Sequence, residues 1–281
     1  MNAAPVLCEP LDAAVHDVLD DLRAHQVEMT RLFSVGVDIL NAARTLDSMS
    51  AELQMLARNG VVQAAQMNRS SRGGHGEGAP LLALAGILSG CPRRIAAQLA
   101  RLGERCAAIA SHTAHCSGLA RRHTQHLNSL LLVLGRECRG AQADELATLL
   151  RDVNLRRPGE LGRVLARTDG WQLPPALAAN VRMIGERSAD TARRLSASLR
   201  QTGTCLRETG GILRAIERIA ETVNYLGVNV AIEAAHCAER GADFRQLARE
   251  IQGTVARFEQ KLQAIRHSAE RGRVLLGALE S

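Results

Sequence analysis

Apolar residues recur along this chain at the three-and-four spacing of a helix face. Between 29 and 56 the ladder is Met29, Leu32, Ile39, Leu46, Leu53 and Leu56, with Gly36, Ala43, Ala57, Gly60 and Ala64 in the same stripe. Between 195 and 234 it is Leu195, Leu199, Leu206, Leu213, Ile216, Ala220, Val223, Val230 and Ala234. A seven-residue repeat held for this long predicts a coiled-coil-like seam with left-handed supercoiling. Small residues gather toward 57–65 and 227–235, where helices can approach closely.

Proline and glycine punctuate the ladders. The seven prolines stand at 5, 10, 80, 92, 158, 174 and 175, which leaves 11–79, 93–157 and 176–281 free of them. An interior proline costs a helix roughly 3 kcal/mol, so the gaps permit long helices. The stretch NRSSRGGHGEGAP at 68–80 reads as a polar, Gly-rich loop. A second apolar segment runs from Leu81 to about Leu134, and Pro92 is expected to kink or restart it.

Residues 136–175 read as a connector with local helices: a short amphipathic helix at 141–150, a second short helix after Pro158, and a break at 169–175 around Trp171, a local packing anchor. A long helix is predicted from about 176 to 238, a turn at 239–241, and a last helix from 242 to about 279. The fold class is therefore all-α: a long antiparallel four-helix coiled-coil bundle of two helical hairpins with a small helical connector. The expected parts are an N-terminal hairpin at 11–135, the connector at 136–175 and a C-terminal hairpin at 176–281.

The two hairpins also match near their tips at an offset of 170. Asn59-Gly-Val-Val-Gln63-Ala-Ala65 aligns with Asn229-Val-Ala-Ile-Glu233-Ala-Ala235, and upstream Leu46, Met49, Leu53 and Leu56 fall on Ile216, Ile219, Val223 and Leu226. Heptads alone do not place an Asn and an acid or amide in one register. We read the match as an internal repeat, with the hairpins related by a pseudo-two-fold axis, tips together. Asn59 and Asn229 are expected in a tight seam, where a buried polar pair fixes register.

Composition narrows the function classes. Hydrophobic residues are 46% of the 281, charged residues 23% and aromatics 2%, which argues against a disordered chain and against an aromatic-rich β fold. The formal net charge is +6, and Lys261 is the only lysine among 35 basic residues, so 34 are arginine. Acidic residues are interspersed with them and stacking aromatics are missing, so nucleic-acid binding is not expected. No run of 18 apolar residues suggests a membrane span, and MNAAPVLCEPLD lacks the basic start and apolar core of a signal peptide. Seven cysteines without a CxxC pair suit reduced thiols. A cytoplasmic location is expected.

The stretch Ile219-Ala-Glu-Thr-Val-Asn-Tyr-Leu-Gly-Val-Asn229-Val-Ala-Ile232-Glu233-Ala-Ala235 resembles the rising arm of the signalling hairpin in methyl-accepting chemotaxis receptors. Glu239-Arg-Gly241-Ala-Asp-Phe244-Arg-Gln-Leu-Ala-Arg-Glu-Ile251 continues without a gap into that family's turn and descending arm, so 219–251 carries the resemblance, with a fainter copy around 46–65. The resemblance implies a signalling protein and not an enzyme, with no cofactor. Its hairpin tip would bind a chemotaxis coupling adaptor and a histidine kinase, and the bundle would self-associate. Asn229, Ile232 and Glu239 fall where the family contacts adaptor and kinase, Glu233 where tips contact one another, and Phe244 on the descending arm, packed against the hairpin. There are departures. His236 stands where an Arg supports tip clustering, Gln246 replaces an apolar contact residue, Asp243 replaces a turn Gly, and Gln252 stands for an Arg. The duplicated hairpins suggest that one chain imitates the receptor dimer.

Other patterns compete with this reading. Cys106, His112, His115, Cys116, His123 and His126 concentrate on helix two, and all but Cys106 fall within an arc of about 100°. Imidazole and thiolate are transition-metal ligands, so a metal- or redox-responsive bundle is one alternative; a partly polar packing seam explains the same residues. A structural bundle that has lost kinase coupling is another alternative. Glu259-Gln260 partly resembles a methylation site but reads as a solvated face, and Gly210-Gly211 reads as a hinge or as a close helix contact. GxSxG, P-loop, GxGxxG and HExxH motifs are all missing, so no enzyme activity is expected.

Overall fold

The computed structural model describes residues 9–70, 79–138, 140–153, 155, 160–168, 173–237 and 241–280. Six helices account for nearly all of them: α1 (Glu9–Ser70), α2 (Ala79–Glu137), α3 (Ala141–Asp152), α4 (Glu160–Thr168), α5 (Pro175–His236) and α6 (Ala242–Glu280). Among the described residues there is no strand, and no helix is long and apolar enough to cross a membrane. The Gly-rich segment 71–78 and Trp171 lie outside the described residues.

Helix ends follow the proline and glycine marks. Pro175 opens α5, where a missing N–H costs nothing, and the Pro174 carbonyl accepts from the amides of Leu177 and Ala178 at 2.9 Å. Gly140, with φ of 53°, precedes α3, and its carbonyl accepts from Ala143 N. α2 stays helical through Pro92, so of the two expectations the restart is ruled out. The Pro92 carbonyl accepts from the Ser50 hydroxyl of α1 at 3.4 Å.

Contacts divide the chain into two compact units that cut across the long helices. One comprises 1–34, 111–203 and 274–281, and the other 35–110 and 204–273. In the first, Leu11, Leu127, Leu134, Leu146, Leu150 and Val164 pack one buried cluster that joins α3 and α4 to α1 and α2. Burying each Leu there is worth about 1.5–3 kcal/mol. A Cβ on Gly185 of α5 would collide with the Leu165 side chain of α4, so α4 seats directly on the α5 backbone. A second cluster of this unit draws Met29 and Leu32, Cys116 and Leu119, Leu195 and Leu199, and Leu276 and Leu279 from all four long helices.

In the second unit the partners of α1 retreat along α6 as they advance along α1. Arg271 Nη2 donates to Asp38 at 3.4 Å, and fourteen residues further along α1, Arg257 Nη2 donates to Glu52 at 2.6 Å, fourteen residues back on α6. Arg105 of α2 pairs with Glu208 of α5 at 3.1 Å, and Arg266 of α6 with Glu217 of α5 at 2.5 Å. These exposed pairs set register more than stability, at roughly 0–1 kcal/mol each.

Burial in this unit repeats at two offsets. Every buried position of α1 from 35 to 64 has a buried counterpart 170 residues on in α5. Every buried position of α2 from 81 to 109 has one 163 residues on in α6. The seven-residue difference falls in the stretch of sequence between α1 and α2, which is longer than that between α5 and α6. The repeat seen in sequence on α1 and α5 thus extends, as a burial pattern, to α2 and α6.

Candidate functional site

The turn between α5 and α6 is built on close backbone approach. A Cβ on Gly241 would strike the carbonyl oxygen of Ala234, so only glycine fits there. The same carbonyl accepts from Arg245 Nη1 at 3.2 Å, which ties the start of α6 to the end of α5. Phe244 is 3% exposed and anchors this start. Further from the turn, Gly227 lets Ile251 Cγ2 approach to within 3.3 Å of where a Cβ would stand.

On the outer side of α5 the sequence-derived residues form a stripe. Asn229 and His236 are exposed, Ile232 is 49% exposed, and the Glu233 side chain is partly exposed. His236 Nδ1 lies 3.7 Å from Glu233 Oε2, one helical turn apart. Glu239 lies outside the described residues. Among the replaced residues, Gln246 Nε2 donates to Glu250 at 3.0 Å along the exposed face of α6, and Asp243 is exposed. Glu259 and Gln260 are exposed too, in keeping with a solvated face.

Sequence reasoning missed two members of the stripe, Tyr225 at 71% exposure and Val228 at 40%. It missed also that the pattern recurs on α1: Met55 and Val62, 63% and 55% exposed, stand 170 residues before Tyr225 and Ile232. The available signal was apolar residues lying off the heptad ladder at matching places in both copies. One expectation fails here. Asn59 and Asn229 are exposed at equivalent positions, not buried in a seam, because each falls one residue before the buried Gly60 and Val230.

The His/Cys face of α2 does not gather. Cys106, Cys116 and His123 are buried, His112 and His126 are partly buried, and His115 is exposed. Among the described residues no three His, Cys, Asp or Glu side chains stand together so as to hold a metal ion. His123 has another task. Its Nε2–H donates to the Leu155 carbonyl at 2.9 Å, between α3 and α4, and its Nδ1 accepts from the Ser188 hydroxyl of α5 at 2.9 Å. Burial above all pushes its pKa down, with the nearby His126 adding to the effect against the two hydrogen bonds. Burial likewise pushes the Cys106 thiol up to about 12, and raises Cys116 against hydrogen bonds from Ser198 and Thr202. Thiols held protonated in this way are poor nucleophiles and poor metal ligands.

No protein-family model, curated protein or solved structure matches the chain.

Proposed function

We propose that the chain is a chemoreceptor-like signal-transduction protein that offers the outer face of a hairpin tip to a coupling adaptor and a histidine kinase. In this reading the four long helices are an antiparallel four-helix coiled-coil bundle, and one chain supplies both hairpins that two receptor chains would supply. Support for the bundle comes from the ion pairs of α1 with α6, α2 with α5 and α5 with α6, and from the repeated burial pattern.

The observation that carries the functional reading is the stripe Tyr225, Val228, Asn229 and Ile232 beside a turn held by Gly241 and Arg245. A helix in water gains nothing from presenting four such positions outward, whereas a protein interface gains from burying an aromatic and two aliphatic anchors. The same segment is the one that resembles the receptor family's contact surface, which names the partner class.

The experiment is titration of the purified chain with a coupling adaptor by calorimetry, comparing wild type with Ile232→Arg and with Glu259→Ala as a distant control. Saturable binding that Ile232→Arg abolishes and the control retains supports the reading. Failure of the wild type to bind, or equal binding by Ile232→Arg, overturns it.

A further inference from the structure

The repeat within the second unit exposes a difference between two equivalent grooves. In the α1/α6 groove, Glu52 accepts from Arg257 at 2.6 Å and from the Thr254 hydroxyl at 3.0 Å, so the groove is neutralised from within. Offsets of 170 and 163 carry Glu52 to Thr222 and Arg257 to Arg94, and these two residues line one open groove between α2 and α5, of about 430 Å³. Where the first groove has a carboxylate, the second has a hydroxyl. Arg94 makes no ion pair or hydrogen bond among the described residues. Arg218 lines the same groove and spends only Nε, on the Arg214 carbonyl at 3.3 Å. Gln98 adds an amide, and the buried Ile219 with Ala97 gives an apolar wall.

We propose that this groove binds a small organic oxyanion, a phosphate ester with a compact apolar body. Two forked guanidinium groups with N–H donors to spare suit a tetrahedral or planar oxyanion better than a lone halide, because each fork can give two parallel bonds. The Thr222 hydroxyl donates to the Arg218 carbonyl at 2.9 Å and is neutral, so it repels an anion in the groove less than a carboxylate would. The volume exceeds what inorganic phosphate needs, and the apolar wall accounts for the remainder. The site goes beyond the docking stripe of α5 and does not depend on it.

Calorimetric titration with phenyl phosphate at low and at physiological salt, on wild type, Arg94→Gln and Thr222→Glu, tests the assignment. Thr222→Glu supplies the second groove with the internal carboxylate of the first. Each variant is expected to weaken phenyl phosphate binding by at least about tenfold. Both substituted residues are exposed, so circular dichroism should find the folds unchanged. Inorganic phosphate is expected to bind more weakly than the ester. No binding by the wild type, or equal affinity in Thr222→Glu, overturns the site. So does an affinity equal for phosphate, sulfate and the ester that vanishes at physiological salt, the behaviour of an adventitious ion only.

Discussion

Gly36 of α1 faces Ile109 of α2 so closely that a Cβ on the glycine would lie 3.2 Å from Ile109 Cγ2. At the positions that the offsets of 170 and 163 make equivalent, the sizes are exchanged: Leu206 of α5 faces Gly272 of α6, 3.3 Å from its would-be Cβ. Each pair sums to one large and one absent side chain, with opposite assignments in the two helix pairs. Gly36→Ala is expected to cost about 1–3 kcal/mol by overpacking. Adding Ile109→Val should recover part of it, with a coupling of about 0.5 kcal/mol or more in a double-mutant cycle read by urea unfolding. Strict additivity would mean the two residues do not meet.

Glycines elsewhere divide by what surrounds them. Gly211 has open space where a Cβ would go, and Gly210 meets only the guanidinium ends of Arg273 and Arg214. Neither is needed for close helix approach. Gly211→Ala should therefore stabilise by about 0.5–1 kcal/mol, from helix propensity alone. Gly241→Ala should do the reverse, by about 1–3 kcal/mol or more, since the methyl meets the Ala234 carbonyl. Thermal and urea unfolding of the two variants give opposite signs if these surroundings are right.

His123 makes stability depend on pH. Its pKa in the fold lies below the ordinary value of 6.5, so the unfolded chain takes up the proton first as pH falls. Its contribution is fully present above about pH 6.5 and is lost progressively as pH falls from there toward the folded value. His126 is shifted in the same direction, by burial and by Arg187 and Arg122, and adds to the slope. The Tm is expected to fall between pH 7.5 and pH 5, and His123→Gln should flatten that fall while keeping a donor for the Leu155 carbonyl. His123→Ala should cost about 1–3 kcal/mol at pH 7.5, because a buried carbonyl and hydroxyl lose their partner.

The helices were legible in sequence because apolar period and proline position are local signals. Leu81, Ala176 and Ala242, the starts expected from sequence, stand within two residues of the observed helix starts for that reason. What was not legible depends on rotation of a helix about its axis by one residue. Asn59 and Asn229 look like seam residues beside Gly60 and Val230, yet one step of 100° turns them outward. His123 shares a helix face with His112 and His126, but its partners come from Leu155 and Ser188, distant in the chain. The repeat on α2 and α6 is harder to see in sequence because Cys91 answers Thr254 and Ile95 answers Phe258, and few matches such as Arg94 with Arg257 and Leu99 with Leu262 keep the residue as well as the burial.

Ile232 and Phe244 stand on either side of the turn and differ in which link of the argument they test. Phe244 is 3% exposed, so Phe244→Ala removes a packed ring and leaves a cavity, at about 3–5 kcal/mol. Ile232 is 49% exposed, so Ile232→Arg removes little packing and should shift stability by no more than about 0.5 kcal/mol. Adaptor binding should respond in the other order: Ile232→Arg loses it with the fold intact, whereas Phe244→Ala retains it at temperatures where the tip is still folded. Urea unfolding monitored by circular dichroism, beside adaptor titration of the same samples, separates the two. If Ile232→Arg unfolds the protein, its side chain is part of the core and the outward stripe does not exist.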